Sequence, residues 1–467
     1  MKTAIKYIYS ALTIVFISAA AVAQTKPAAF KVPVYQKFSL SNGLTVYLME
    51  QHEVPVISVS AIIPAGAIYD GSKSGLATLT AAGLQYGTKS YSKSKIEQDL
   101  DFIGASLNTY ASKESSGLSS KFASKDAGKV LPILKEVLAD PVFDKDEFEK
   151  ERKRVLTSLQ QAKQSPRNVI NAYWDKFIFG SHVYGNSLTG SPETVGKFSI
   201  DDLKSFYTAN YSPQGSAIAV VGDFNAKEMK TRLEGLFGSW KATAQARKNE
   251  AAVAITPVNG NRILLVNKED ARETTFLIGG IGIRRDNPDF VAIEVVNTVF
   301  GGRFTSWLND ELRVNSGLTY GANSRFTPLK NSGTFAISTF TANKTTEATI
   351  DKALQVLDSL HKQGFNDKTL ASAKNYVKGQ FPPRYETAGQ LAGLLTQMFW
   401  YGFDESYINN FQSNVDGLTA AKSKEIINKY FPKDKLQFVL VGKSEEIRKV
   451  AQKYGPVTEK EIKADGF

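Results

Sequence analysis

The chain repeats one pattern twice, and this duplication constrains its fold more than any other feature of the sequence. Asn42-Gly43 precedes two runs of strand-forming residues within residues 44–63. Asn259-Gly260, 217 positions later, precedes two similar runs within residues 262–281. Because Asn-Gly is a common hairpin signal, this agreement alone could be a coincidence between two unrelated hairpins.

The ends of the two patterns agree as well, which argues against coincidence. Asn210-Tyr211-Ser212-Pro213 leads into the apolar run Ala217–Gly222. Lys429-Tyr430-Phe431-Pro432 leads into Gln437–Gly442, at a spacing of 219 to 220 positions. The same signals in the same order predict two homologous halves that differ by a few inserted residues.

Each half has strand patterns near its ends and helical patterns between them. Residues 146–163, for example, place four apolar side chains on one helical face, namely Phe148, Val155, Leu156 and Leu159. The sequence therefore predicts an α+β fold in which each half is a mostly antiparallel sheet packed against helices.

The domain boundaries follow from the repeat. We expect a first domain at residues 24–245, a linker at residues 246–257 and a second domain at residues 258–467. The stretch from Lys241 to Thr256 is rich in Ala, Lys and Gln, so we interpret it as an ordered but exposed connector.

Residues 1–23 have the pattern of a secretory signal peptide. Lys2 and Lys6 precede an apolar run at residues 8–20, and Ala21-Val22-Ala23 offers a small-residue cleavage site. The run is shorter than the ~20 residues of a membrane helix, and no Cys follows it for a lipid anchor. We expect cleavage after Ala23 and export of a soluble protein to the periplasm; an uncleaved signal anchor is the alternative.

Composition removes several classes of function. The chain has no Cys and three His, at His52, His182 and His361. Disulfides, thiolate zinc sites, iron–sulfur clusters and cysteine nucleophiles are therefore excluded, and the histidines are too far apart for a paired-histidine helical motif. The 57 Lys and Arg are mixed with 46 Asp and Glu, so we expect no nucleic-acid partner.

Residues 75–88 resemble the metal-binding helix of the pitrilysin, insulinase and mitochondrial processing peptidase family of inverzincin metallopeptidases. The similarity extends to further segments at residues 104–108, 182–185, 211–213, 220–223 and 303–321. The resemblance covers nearly all of residues 35–445 and includes the duplication. It implies the αβ roll of this family, duplicated in tandem.

Active members of the family carry H-x-x-E-H on this helix, which places two imidazoles and a carboxylate around zinc. The matching positions here are Thr78, Ala81 and Ala82, and Ser158 stands where the resemblance implies a further glutamate ligand. Methyl and hydroxyl groups cannot replace these ligands. We therefore expect no metal in this chain; a site elsewhere for another metal is the alternative.

Glu311 to Gly321 resembles the family segment that holds an arginine and a tyrosine seven residues apart, which are Arg313 and Tyr320 here. The local pattern predicts a helix through Trp307 and Leu312, a stop near Gly317 and a strand from Leu318. The resemblance implies that the pair reaches the substrate near the zinc of active relatives. Alternatively, Arg313 pairs with Glu311 and Tyr320 simply packs.

Some members of the family divide these roles between two chains, and the resemblance implies that this chain is the partner without zinc. We expect a non-catalytic subunit that is inactive alone and that supplies Arg313 and Tyr320 to a zinc-bearing subunit of the same family. Peptide or unfolded protein is the expected substrate, and the edge strand near Asn108 is a candidate for pairing with it. A scaffold protein without a protease partner and a peptidase of unusual metal chemistry are the alternatives.

Overall fold

The computed structural model describes residues 30–241 and 250–463. The predicted signal peptide at residues 1–23 lies outside these residues, as do residues 246–249 of the predicted linker. Within the described part of the chain, no helix is long and apolar enough to cross a membrane.

The first half contains a six-stranded open sheet with the strand order β1-β2-β6-β3-β5-β4. Neighbouring strands are antiparallel except β2 and β6. The strands are β1 (Gln36–Ser39), β2 (Thr45–Glu50), β3 (Val56–Ile63), β4 (Ser106–Ala111), β5 (Ser116–Ala123) and β6 (Ala217–Gly222). The helices are α1 (Leu76–Gly83), α2 (Lys93–Phe102), α3 (Ala127–Ala139), α4 (Lys145–Ala162), α5 (Pro166–Phe179), α6 (Pro192–Gly196), α7 (Ile200–Asn210) and α8 (Ala226–Phe237).

The second half repeats this architecture with the strand order β12-β7-β11-β8-β10-β9. Its strands are β7 (Arg262–Asn267), β8 (Glu273–Ile281), β9 (Ala322–Pro328), β10 (Gly333–Ala342), β11 (Gln437–Gly442) and β12 (Val457–Glu461). Its helices are α9 (Phe290–Asn297), α10 (Trp307–Asn309), α11 (Thr346–Gln363), α12 (Asp367–Gln380), α13 (Ala388–Tyr401), α14 (Glu405–Asn409), α15 (Phe411–Gly417), α16 (Ala420–Tyr430) and α17 (Ser444–Ala451). The chain forms π-helical turns at Thr298–Gly302 and Asp310–Asn315.

Five strands follow the same spatial order in both sheets, which confirms the predicted fold class and its duplication. The outermost strand is the difference between the halves, because β1 pairs antiparallel with β2 whereas β12 pairs parallel with β7. Asp70 and Asn287 occupy matching places, since each lies shortly before the first long helix of its half.

One helix of each half packs on the sheet of the other half. The helix α13 packs on strands β3 and β6 of the first sheet. The hydroxyl oxygens of Thr396 on α13 and Ser60 on β3 are 3.1 Å apart. The helix α5 packs on β8 and β11 of the second sheet, where Ile170 and Trp174 join an apolar cluster with residues of the two strands. A helix of the other half therefore covers part of one face of each sheet.

The described part of the connector is mostly exposed, but two of its residues are packed. Ala251 is buried and Ile255 is partly buried, and both belong to the cluster beneath α5. His182 contacts the same segment, with its Nε2 3.1 Å from the carbonyl oxygen of Val253. The connector is held in place because Ala251 and Ile255 pack against residues of both halves.

Candidate functional site

The helix α1 begins at a tight approach between two backbone segments. Gly75 precedes it with a φ of +96°, and a Cβ atom there would lie 2.8 Å from the backbone nitrogen of Gly190. The side chain of Asp70 accepts hydrogen bonds from the backbone N–H groups of Gly75 and Ala77, at 2.9 and 2.8 Å. Asp70 therefore satisfies free N–H groups at the start of the helix.

None of the positions that match zinc ligands carries a side chain that could bind the ion. Thr78 Oγ1 donates to the carbonyl oxygen of Leu188 at 2.5 Å. Ala81 is 1% exposed, so a glutamate there would have no space without movement of its neighbours. Ser158 is exposed on α4. These residues do not fit a zinc ion.

No other metal centre is found in residues 30–241 and 250–463, where no three His, Asp or Glu side chains come together. The three histidines lie apart: the His52 Nδ1 is 2.7 Å from the Asp223 carboxylate, His182 accepts a hydrogen bond from the N–H of Tyr184, and His361 is buried near the end of α11. His182 lies at the start of the short helical turn Val183–Gly185.

Burial raises the pKa of Asp70 to about 7, against the opposing effect of hydrogen bonds from the backbone N–H groups of Ala77, Gly75 and Leu76. The folded protein therefore retains a proton that the unfolded chain loses above about pH 4. The resulting stabilisation is fully present below that pH and is lost as the pH rises through 7.

Substitution Asp70→Asn should remove this pH dependence. We expect the difference in free energy of unfolding between wild type and Asp70→Asn to fall between pH 4.5 and 7, by up to about 1.4 kcal/mol per pH unit. Urea titrations at several pH values measure it. Asp99→Asn is the control, because the side-chain hydrogen bonds from Lys95 and Lys129 lower the pKa of Asp99. Asp99 therefore stays ionised between pH 4.5 and 7, and the difference in free energy of unfolding between wild type and Asp99→Asn should stay constant over this range. A constant difference for Asp70→Asn would contradict the assignment.

The segment that carries Arg313 and Tyr320 differs from the predicted helix and strand. The chain is α-helical only over α10, continues as a π-helical turn through Asn315 and reverses at Gly317, whose φ is +60°. The prediction that the strand begins at Leu318 is wrong, because β9 begins at Ala322. The intervening loop is held by threonine side chains and by a backbone hydrogen bond from the N–H of Leu318 to the carbonyl oxygen of Leu312 at 2.9 Å.

Two threonines of β10 hold this loop. The Thr341 hydroxyl donates to the carbonyl oxygen of Leu318 at 2.7 Å, and the Thr339 hydroxyl donates to that of Gly321 at 2.9 Å. The Thr339 hydroxyl oxygen also lies 3.1 Å from that of Thr319. The side chain of Tyr320, which lies between these anchors, is 82% exposed. The tyrosine is therefore presented to solvent by a fixed backbone and does not simply pack.

Arg313 lies over an aromatic ring. Its guanidinium carbon is 4.7 Å from the ring centroid of Phe304, and Glu311 instead accepts a hydrogen bond from the side chain of Asn315. Asn309 fixes the backbone beneath, since its Nδ2 donates to the carbonyl oxygen of Phe304 at 2.6 Å and its Oδ1 accepts from the N–H of Ala322 at 3.3 Å. The π-helical turn and the loop are thus tied together.

Arg313 and Tyr320 line one cavity of about 570 Å³, a size typical of ligand sites. Its floor includes residues of β8 and β10, and the start of α5 closes it from the first half with Arg167 and Asn171. Arg303 and Tyr376 complete one wall. Sequence reasoning missed Arg167, because nothing in the local sequence shows that α5 packs against the other half.

Each sheet ends in an edge strand on the corresponding side. The strand β4, which includes Asn108, is the edge of the first sheet, and β9 is the edge of the second. Along β4 the residues alternate between exposed and half-buried. An edge strand has free backbone N–H and C=O groups, so β4 can accept an extended peptide. The outer side of β9 is partly occupied, because Asn297 Nδ2 donates to the carbonyl oxygen of Ser324 at 2.9 Å and the N–H of Ala322 donates to Asn309.

Two family models match consecutive parts of the chain. The model of insulinase, peptidase family M16, matches residues 45–191. The model of the peptidase M16 inactive domain matches residues 197–377. Together they cover most of both halves. The chain belongs to peptidase family M16.

Solved structures agree with M16 membership. A peptidase M16 inactive domain from Pseudomonas fluorescens is 26% identical, with a TM-score of 0.81 over 88% of this chain and 98% of that chain. A protease from Helicobacter pylori has a TM-score of 0.82 at 21% identity, over 88% of this chain and 100% of that chain. The second likeness, at this identity, shows the fold alone.

Curated M16 relatives fall into two kinds. An uncharacterised zinc protease of Bacillus subtilis is 24% identical over 345 residues, which are 74% of this chain and 83% of that protein. Subunit 1 of the mitochondrial cytochrome b-c1 complex of Rattus norvegicus is 27% identical over 272 residues, which are 58% of this chain and 56% of that protein. The chain is thus an M16 protein of the inactive-domain type, without zinc ligands at Thr78, Ala81, Ala82 and Ser158.

Proposed function

We propose that this chain is the non-catalytic subunit of a two-chain zinc peptidase and that it supplies Arg313 and Tyr320 to a site whose zinc is bound by a partner of the same family. One observation carries the proposal: the two side chains line a single cavity, whereas the helix that matches the family's zinc helix has no ligand on it. A chain that has the Arg313–Tyr320 pair but lacks the zinc ligands is suited to work together with a second chain that binds the zinc.

The chemistry of the two side chains supports this role. A guanidinium and a phenolic hydroxyl are hydrogen-bond donors, and they can hold the carbonyl oxygen of a peptide and the negative charge that develops on it during hydrolysis. Arg313 is ordered by its contact with Phe304, and the Tyr320 backbone is ordered by Thr339 and Thr341. Ordered donors stabilise a transition state without reorganisation at the moment of reaction.

The proposed substrate is a peptide or an unfolded protein segment that pairs with an edge strand. The strand β4 is an open edge with small or polar residues on its exposed face, including Ser106 and Asn108. Main-chain pairing binds many sequences, so side-chain selectivity has to come from the cavities beside the strands. We further propose export to the periplasm, on the pattern of residues 1–23.

Reconstitution tests the proposal. We expect the purified chain to contain no stoichiometric metal and to leave an unfolded fluorogenic peptide uncut. Addition of a zinc-bearing M16 chain of the same source should produce cleavage that neither chain gives alone and that a chelator abolishes. Metal analysis of each chain and of the pair locates the ion. Chelator-sensitive cleavage by this chain alone would refute the proposal and would favour a peptidase of unusual metal chemistry.

A scaffold function is the second candidate, because the rat relative is a subunit of the cytochrome b-c1 complex. A scaffold needs the two halves and their outer surfaces but not the cavity. It predicts that Arg313→Ala and Tyr320→Ala leave the activity of any complex isolated with this chain unchanged. The peptidase proposal predicts a large loss of rate for the same variants.

A further inference from the structure

The cavity that contains Arg313 and Tyr320 is cationic. Three arginines line it: Arg167 from the first half, and Arg303 and Arg313 from the second. None of the described residues that line it is Asp or Glu. Like charges that line one cavity repel each other unless something negative lies between them, so the presence of three arginines calls for an explanation.

Two of the guanidinium groups lie over phenylalanine rings. The Arg313 carbon is 4.7 Å from the Phe304 centroid, and the Arg167 carbon is 3.6 Å from the Phe340 centroid. A cation–π contact of this kind uses the ring face and leaves N–H groups of the guanidinium available for hydrogen bonds. Both side chains can therefore still donate to an acceptor in the cavity.

The third arginine has unused hydrogen-bonding capacity. Arg303 donates through Nη1 to the hydroxyl of Ser372 at 3.1 Å, which is a neutral partner. Its Nε is buried and, among the described residues, has no hydrogen-bond acceptor. A buried donor without an acceptor is unfavourable.

Among the described residues, Arg167 is the one arginine of the three that has an acidic partner, and that pairing is weak. Its Nη2 is 3.4 Å from the Glu273 carboxylate, and the two side chains are 54% and 50% exposed. An ion pair this exposed is largely screened by solvent. Glu273 therefore lowers the positive charge of the cavity without cancelling it.

The duplication provides an internal comparison. A cavity of about 870 Å³ occupies the matching place on the first sheet, where the start of α13 takes the position of α5. Its charged lining residues are Lys121, Glu53 and Glu386, and the remainder includes several serines. The fold therefore provides a cavity at this position in both halves, but it does not require arginines there.

We propose that the arginine cavity binds a carboxylate of the peptide substrate and so selects acidic peptides. The inference rests on the proposed function, because it takes a peptide to be what enters the cavity. A planar carboxylate matches the fork of a guanidinium, and two such charge-assisted contacts are shorter and stronger than neutral hydrogen bonds. The carboxylate is either an Asp or Glu side chain or the free C-terminus of the peptide.

Peptide binding to the full chain tests the inference and separates the two sources. The probes are fluorescein-labelled twelve-residue peptides of Ala, Ser and Gly that carry one central Glu or Gln and end in a free acid or an amide. By fluorescence anisotropy we expect binding on the order of 10-fold to 100-fold tighter with a carboxylate than without one, weakening as salt is added. The inference is wrong if no peptide with a carboxylate binds more tightly than the amidated Gln peptide, which has none. It is also wrong if none of the peptides binds.

Variants show whether the arginines are responsible. Arg167→Gln and Arg303→Gln should each reduce the preference for the acidic peptide. Arg284→Gln is the control, because it removes the positive charge of an exposed arginine that lines neither cavity and is paired with Asp286 at 2.6 Å, so it should leave the preference unchanged. Equal effects from the control and from Arg167→Gln would overturn the assignment.

The outcome is separable from that of the proposed function. Cleavage of a neutral peptide by the reconstituted pair, without preference for an acidic one, would leave the function standing and refute the cavity's selectivity. Tight binding of the acidic peptide to this chain, with no gain in cleavage on addition of a zinc-bearing chain, would refute the function instead.

Discussion

Arg313→Ala is expected to lower the kcat/KM of the reconstituted pair by about 100-fold to 1000-fold, the loss that follows removal of one preorganised donor from an oxyanion site. The side chain is ordered on Phe304 and opens into the cavity shared with Tyr320. Its removal deletes the donor without disturbing the backbone, which Asn309 holds independently. Initial rates on a fluorogenic peptide provide the measurement.

Matched variants decide whether this loss is specific. Arg313→Lys keeps the charge but loses the planar fork, so it should recover only part of the rate. Tyr320→Phe removes one hydroxyl and should also reduce kcat/KM. Arg284→Ala removes an exposed arginine whose partner is Asp286 at 2.6 Å, so the rate should hardly change. A loss below about 3-fold for Arg313→Ala would rule out a role in transition-state stabilisation.

Glu114→Ala is expected to lower the free energy of unfolding by about 2–5 kcal/mol, because it leaves several buried donors without an acceptor. Glu114 is 4% exposed and accepts hydrogen bonds from the backbone N–H of Lys330 and the hydroxyl of Tyr184. The Tyr184 hydroxyl in turn accepts from the N–H of Asn331 at 3.2 Å. One carboxylate of the first half thus holds the β9–β10 turn of the second.

Urea denaturation of wild type and variant measures this loss. Glu445→Ala is the control: its side chain is 85% exposed, and it lies 3.7 Å from Lys443, so its removal should change stability by no more than about 0.5 kcal/mol. Equal unfolding midpoints for Glu114→Ala and wild type would show that the contact contributes nothing. Because the turn follows β9, the variant should also loosen the edge strand beside the cavity.

Much of the fold could be predicted because the signals are local. Ala217–Gly222 and Gln437–Gly442 are strands with the bounds that the apolar runs indicated, since buried runs with β-branched residues between turn signals favour strands. The start of β9 could not be predicted in this way. The backbone from Leu318 to Gly321 bonds to side chains of β10, and residues some twenty positions away give no local signal.

The candidate site also has features that the sequence predicts and features that it does not. The sequence was sufficient to identify the missing ligands at Thr78, Ala81 and Ala82, because ligand chemistry depends on residue type. The contribution of Arg167 depends on how α5 packs across the halves, and no pattern within one half reports that. The roles of Arg313 and Tyr320 remain predictions, although the structure brings both to one cavity.

The exchange of α5 and α13 has a consequence for how the protein is made. The face of the first sheet that α13 covers includes Tyr47 and Val221, and α13 begins at Ala388, long after β6 ends at Gly222. At about 5–20 residues per second, ribosomes need roughly 10 to 30 s to bridge that gap. Until α13 is in place this face of the sheet is uncovered, so a first half expressed by itself would expose apolar residues that the whole chain buries.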